Sequence, residues 1–287
     1  MIDFTLAKEV LNNYSGSEVK KTIIYNNKKY LVKFPDPIRE KNKNISYINN
    51  AYSEYVGSNI FSLCGFNTQS TILGLYYYHD KEKVVCACLD FTDEIHELYE
   101  FENLALSINP DKKIGTDFLD ILEVLKNIYD DDKMLFKFLD MFIIDAFIGN
   151  TDRHNGNWGF MYNKKDGTME FAPIYDNGSC LNPIFEDSEI EKLDNIEFKN
   201  IAYNVYSCLK IDNKKIHYFD FIKSMNNSLC NDALIRVFPN IDIDKIVDFI
   251  NNIEGMSNVR KKFYSDVLSF RYQELEKVYY KLKEAMT

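Results

Sequence analysis

The chain has 287 residues, 46% of them hydrophobic, with 44 acidic against 34 basic side chains and a formal net charge of −10. That length and apolar content can bury a large core, arranged as one domain or two lobes. The acidic balance argues against a direct nucleic-acid surface, which needs cations to displace counterions, and against docking on an anionic membrane.

No apolar run reaches membrane-helix length and no conventional export signal opens the sequence. The six cysteines show neither zinc spacing nor a compact disulfide framework, so a cytoplasmic protein with reduced thiols is expected. The first candidate element is Ser15-Gly16-Ser17, in a stretch that runs on through Lys20 and Lys21. One glycine between two serines is a common turn, but it precedes two strands, as a loop covering phosphates with its backbone amides would. Those strands, at 21–25 and 29–34, are joined by Asn26-Asn27. Alternation puts Tyr30, Val32 and Phe34 on one side and Leu31 with Lys33 on the other, where a lone cation can reach α- and β-phosphates.

A helix is predicted over 48–64 with a stripe of Tyr52, Val56, Ile60 and Leu63. Its Glu54 is either a surface acid or the carboxylate that steadies Lys33. Strands at 70–78 and 83–88 follow, with Cys86 and Cys88 as small buried side chains and residues 87–91 as a hinge offering backbone groups to adenine. From about residue 93 helical periodicity dominates, with helices predicted at 116–129, 134–148 and 261–285. Two segments, Asn-rich 41–50 and acidic 185–194, are expected to be mobile. The second, with Glu186, Asp187, Glu189, Glu191 and Asp194, sits where an activation segment would; it either favours a basic substrate patch or is a solvated loop.

Chemistry concentrates between residues 143 and 181. Asp152 is followed five positions later by Asn157, and Asp176 closes the next apolar segment. Phosphoryl transfer from a nucleotide uses these types in this order: an Asp facing the attacking hydroxyl, an Asn holding one Mg²⁺, and a later Asp bridging metal and phosphates. Mg²⁺ suits Asn157 and Asp176, because it prefers oxygen ligands and is held by one or two carboxylates plus the phosphates themselves. The apolar run 135–148 delivers the loop, two strands at 158–162 and 169–173 form a hairpin, and Asp176-Asn177-Gly178 follows. Here Asn177 stands where kinases carry Phe. His154 is expected to fix the loop backbone, and Arg153 to pair with a carboxylate or a phosphate.

These residues resemble the HipA family of bacterial serine/threonine kinases. The resemblance rests on Asn150-Thr151-Asp152-Arg153-His154-x-x-Asn157 and a downstream Pro173-x-Tyr175-Asp176. Tyr30 to Pro35 is similar to that family's ATP-contacting Lys strand, and Ser15 to Lys21 occupies its phosphate-loop position. The compact CtkA-like members, which lack the small N-terminal subdomain of full HipA toxins, are most similar. The resemblance implies an α+β, two-lobed, protein-kinase-like fold, with a small β-rich N-lobe over 1–92 and a larger, mainly helical C-lobe over 93–287. It also implies an ATP- and Mg²⁺-dependent enzyme that phosphorylates a protein substrate, an aminoacyl-tRNA synthetase or another host protein among the possibilities. An antitoxin partner and autophosphorylation at Ser15 or Ser17 are further expectations of that kind. Asp-Arg-His-x-x-Asn is also the catalytic-loop pattern of phosphoinositide kinases, so a lipid kinase is the enzyme alternative. A catalytically silent nucleotide-binding module is the non-enzyme one, against which the intact Asp152, Asn157 and Asp176 stand.

Overall fold

The structure is a computed structural model that describes residues 1–11, 19–35, 48–108, 115–128 and 132–286. Ser15, Gly16 and Ser17, with most of the Asn-rich stretch, lie outside the described residues.

The chain opens with β1 (Ile2–Asp3), β2 (Lys8–Val10), β3 (Lys20–Tyr25) and β4 (Lys28–Lys33). Helix α1 (Asn50–Leu63) and the strands β5 (Thr71–Tyr78) and β6 (Lys81–Leu89) follow. The six strands form one sheet in the order β1-β5-β6-β4-β3-β2, antiparallel except for the β1–β5 pair. Asn26 and Asn27 close the β3–β4 hairpin in left-handed conformations, φ 48° and 58°, which asparagine tolerates best among non-glycine residues. One sheet face buries Ile23, Tyr30, Val32, Phe34, Val85 and Ala87 against Phe4 and Tyr76. The other face turns Cys86 and Cys88 under Ala51 and Tyr55 of α1, so both thiols are buried, as the alternation predicts.

Beyond the sheet the expected helical continuity is broken twice. β7 (His96–Glu100) enters a second sheet, then α2 (Phe101–Ile108), α3 (Phe118–Ile128) and α4 (Lys133–Ile148) lead to the hairpin β8 (Gly159–Asn163) and β9 (Met169–Phe171). β8 lies between β7 and β9. After α5 (Asp187–Ile190) and α6 (Asn195–Tyr203) comes an unpredicted hairpin, β10 (Tyr206–Ile211) and β11 (Lys214–His217). α7 (Tyr218–Ser224), α8 (Ser228–Val237), α9 (Ile243–Asn251) and α10 (Asn258–Met286) complete the fold.

Helix α4 is the axis of the larger core. Every residue from Met141 to Ile148 is buried, against Trp158, Tyr218 and Leu268 among others. Truncating one such aromatic, Phe142 for example, costs about 3–5 kcal/mol in comparable cores. α10 lays Leu268, Leu275 and Leu282 into the same core and packs Tyr272 and Tyr279 against Phe238 in tilted ring contacts. The spacing of Leu268, Tyr272, Leu275, Tyr279 and Leu282, alternately four and three residues as in a coiled-coil seam, is therefore spent on packing within this core.

Segment 185–194, expected to be mobile, is instead anchored. Arg260 pairs with Asp187 at 2.6 Å and also holds the Phe185 carbonyl, while Asn49, just ahead of α1, donates to that carbonyl as well. Glu186 and Glu189 form a capping box on α5, and Asp194 caps α6. Of its acids Asp187 is neutralised by Arg260, while Glu189 and Asp194 are fixed by backbone N–H groups and keep their charge. Among the described residues no helix is long and apolar enough to cross a membrane.

Candidate active site

α4 ends at Gly149, whose φ of 68° is the left-handed C-cap that stops a helix sharply. A Cβ there would also collide with the Arg271 guanidinium at 2.3 Å. The loop that follows is built around Arg153, a side chain only 1% exposed. Its Nε and Nη2 donate to the two oxygens of Asp145, at 2.9 and 3.0 Å, in a bidentate pair. Nη1 donates to the carbonyls of Asn157 and Tyr175, and Nη2 also to Asn177 Oδ1. Burial works against the guanidinium charge, yet Asp145 raises its pKa and keeps it protonated. Asn150 adds a bond to Asp145 at 3.1 Å, and the Tyr218 hydroxyl donates to the Asn150 carbonyl at 2.7 Å. One buried cation thereby ties α4, the loop and the segment leading to Asp176. Arg153 has no N–H left for phosphate, so its role in nucleotide contact is withdrawn and its role as partner of a carboxylate stands.

Asp152 is presented by this frame. Asn157 donates its side-chain amide to the Asp152 carbonyl at 2.8 Å, which fixes the five-residue loop and leaves Asn157 Oδ1 as the atom able to ligate a cation. The Asp152 carboxylate itself accepts no hydrogen bond among the described residues. Burial raises its pKa and Asp176 adds to the rise, while His154 opposes it. Activity that depends on the ionised form should therefore fall, on acidification, at a pH above the ordinary aspartate value of 3.8. A pH profile of kcat with its acid limb at or below that value would contradict this. His154 accepts the Gly156 N–H on Nδ1 at 3.1 Å, so that nitrogen fixes the loop backbone.

Across the cleft, Lys33 on β4 donates from Nζ to Glu54 Oε2 and to Asp176 Oδ1, both at 2.6 Å. The Glu54 side chain is fully buried and that of Lys33 nearly so, whereas that of Asp176 remains 33% exposed. Asp176 adopts φ 59°, a strained conformation that aims its carboxylate into the cleft. Burial would raise its pKa, but Lys33 outweighs that and takes it down to about 2, with a further contribution from Lys20. Lys20 thus sits close enough to Asp176 to act on it electrostatically, and Glu54 serves Lys33 instead of touching nucleotide. Of residues 87–91, expected to offer backbone groups to adenine, Ala87 and Cys88 are paired on both sides within the sheet, and Leu89 donates to Ser70 and accepts from Gln69.

The geometry explains Asn177 in place of Phe. Its N–H donates to Glu54 Oε1 at 3.0 Å and its side-chain amide to Ser58 at 2.9 Å, while its carbonyl oxygen accepts from Arg153. A polar bridge therefore joins the Arg153 frame to α1. Gly57 makes the approach possible, since a Cβ there would stand 2.8 Å from Asn177 Cβ and 2.9 Å from Cys180 Sγ. Gly57→Ala should push α1 off the Asp176 turn and lower kcat/KM at least tenfold in steady-state phosphorylation assays, although the residue touches no reactant. Unaltered kinetics would show that the turn yields freely. Gly57, Ser58 and Asp145 were not singled out from sequence, and Asn150 only as the first residue of the catalytic-loop motif; of the first three only Asp145, an acid inside an apolar run, signalled that it needed a buried partner.

Among the described residues no three His, Cys, Asp or Glu side chains cluster as a metal site. The donor set that faces the cleft is one ionised carboxylate, Asp176, and one fixed amide, Asn157. It fits Mg²⁺ carried in by phosphates and waters better than a metal caged by protein.

A family model described as the HipA-like C-terminal domain matches residues 13–240, and the chain belongs to that family. It is an enzyme of the kinase class. It is 40% identical over 286 residues to the serine/threonine-protein kinase CtkA of Helicobacter pylori strain J99, covering 96% of this chain and 86% of that one. The crystal structure of the Helicobacter pylori proinflammatory kinase CtkA superposes with a TM-score of 0.89 at 37% identity, over 100% of this chain and 99% of that one. The HipA protein of Shewanella oneidensis, solved with HipB and operator DNA, matches with a TM-score of 0.52 at 16% identity, over 92% of this chain and 65% of that one, a likeness of fold alone.

Proposed function

We propose that the protein is an ATP- and Mg²⁺-dependent serine/threonine kinase that transfers a γ-phosphoryl group to a hydroxyl of a protein substrate. The observation that carries this reading is Lys33 held at 2.6 Å from both Glu54 and Asp176, with the Arg153 guanidinium joining Asp176 to the loop that carries Asp152 and Asn157. Lys33, with Lys20 and the loop at Ser15-Gly16-Ser17, would hold the nucleotide phosphates. Asp176 and Asn157 would hold Mg²⁺, which when bound neutralises charge on the phosphate oxygens. Asp152 orients the attacking hydroxyl and accepts its proton. The N-lobe of this reading spans 1–92 and the C-lobe 93–287. CtkA, named as a serine/threonine kinase, supports the choice of a protein acceptor over a lipid one.

The test is transfer of labelled γ-phosphate from ATP to the protein itself and to a cell lysate, with and without Mg²⁺, for wild type and Asp176→Ala. Mg²⁺-dependent label on serine or threonine that disappears in the variant is expected, and label on Ser15 or Ser17 would identify self-modification. Label confined to phosphoinositides, or none from folded protein, would overturn the reading.

A further inference from the structure

The unpredicted hairpin β10–β11 stands beside the catalytic loop and is stitched to it from both ends. At its base Tyr218, the residue after β11, bonds the Asn150 carbonyl two residues before Asp152. Further out, the Lys210 N–H donates to Thr116 at 2.7 Å, and Asn155 of the catalytic loop donates to the adjoining Gly115 at 2.7 Å. Alternation divides the hairpin into two faces. Leu209 and Ile216 are buried in the lobe core, so their neighbours Lys210 and Lys215 project from the opposite face.

Those two lysines are direct cross-strand partners. Like charges placed opposite each other destabilise a hairpin, and the arrangement recurs here in a chain with ten more acids than bases. Neither lysine makes an ion pair among the described residues. The nearest carboxylate on the bracketing segment, Asp117, is turned onto the amides of Leu119 and Asp120 at the start of α3. Lys215 lies close enough to Asp152 and to Cys208 to oppose slightly the rise that burial gives the pKa of each. A pair of cations held without a partner, on a braced hairpin beside the residue that faces the acceptor hydroxyl, has the chemistry of an anion-recognition site.

We propose that Lys210 and Lys215 are specificity residues that bind an acidic side chain flanking the acceptor serine or threonine of the protein substrate. The inference rests on the kinase reading above. An acidic substrate residue cancels the cross-strand repulsion and gives each lysine a partner, and it positions the acceptor against Asp152. Lys215 is exposed on β11, whereas Lys33 is buried on β4 and bonded to both of its carboxylate partners, which favours the protein substrate over the nucleotide as the source of the anion.

The experiment compares three serine peptides, with flanking Asp/Glu, flanking Lys/Arg or neutral flanks, by kcat/KM. Wild type, Lys210→Ala/Lys215→Ala and Lys210→Glu/Lys215→Glu would be used, each checked for an unaltered melting curve. Wild type should prefer the acidic peptide. The ratio of acidic to basic kcat/KM should drop about fivefold for each lysine neutralised, the size of an exposed charge pair, and invert in the double glutamate variant. The loss should lie in KM for peptide, with KM for ATP retained. Equal loss on all three peptides, with the ratio constant, would overturn the proposal and assign the lysines to the γ-phosphate. A wild type that prefers basic or neutral peptides would overturn it as well. No transfer to any peptide or to the protein itself would instead sink the kinase reading on which it stands.

Discussion

Replacing Asp152 by Asn is expected to lower kcat by about a hundredfold to ten-thousandfold while leaving the fold and nucleotide binding in place. The substitution preserves shape, and the carboxylate it removes makes no hydrogen bond among the described residues. The Asp152 backbone, which does carry the Asn157 and His154 bonds, is untouched. Lys33, Glu54 and Asp176 are held by bonds to one another that do not involve the Asp152 side chain, and they keep those contacts. ATP with Mg²⁺ should raise Tm of the variant as much as that of wild type. A kcat within about threefold of wild type would show that Asp152 does not serve the acceptor. A lost nucleotide-dependent Tm shift would show that it belongs to the phosphate site.

The largest effect on stability is expected from Asp145→Ala. Asp145 and Arg153 are each 1% exposed, and removing the acid leaves a buried guanidinium without its counter-charge. Breaking such a pair from one side costs about 3–5 kcal/mol. For a chain of this size that is a fall in Tm on the order of 10 °C. The double variant Asp145→Leu/Arg153→Met replaces the pair by apolar groups of similar bulk and should recover much of the loss in urea or thermal unfolding. It should not recover activity, because the carbonyls of Asn157 and Tyr175 and the Asn177 side chain lose their common donor. Full recovery of turnover in a stable double variant would mean that the loop needs packing only, not the cation.

Much of the site was legible in the sequence because its residue types and spacings are dictated by chemistry. Glu54 is the partner of Lys33, Asp176 shares that cation, and Asn157 closes the loop onto Asp152. The partner of Arg153 was left open between carboxylate and phosphate, since no local pattern tells a buried guanidinium from an exposed one. Tertiary contacts decided it: Asp145 comes from one turn before the end of α4, and Asn177 from beyond a hairpin. The strands at 96–100 and 206–217 were missed for a related reason. β7 is stabilised by β8, some sixty residues away in sequence, and its own alternation is short. β10–β11 carried a better signal, an Asp212-Asn213 turn with both residues at positive φ, masked by helical segments on either side. The anchoring of 185–194 depends on Arg260, far downstream, and an acidic composition gives no hint of it.

The Lys33–Asp176 bond spans 143 residues of sequence, whereas Arg153 reaches Asp145 across 8 and Asn177 across 24. Closing short loops costs less chain entropy, and contacts of that kind form sooner during folding. The expected order, which pulsed hydrogen exchange during refolding would check, is that amides of the α4-to-Asp176 segment gain protection before the sheet is joined to it. On the reading proposed above, a molecule caught between those two events would hold Asp152, Asn157 and Asp176 in place but lack Lys33, and so have nowhere to seat a triphosphate. The longest-range contact of the site thus doubles as a safeguard: a partly folded chain cannot phosphorylate anything until the last and most distant pair has met.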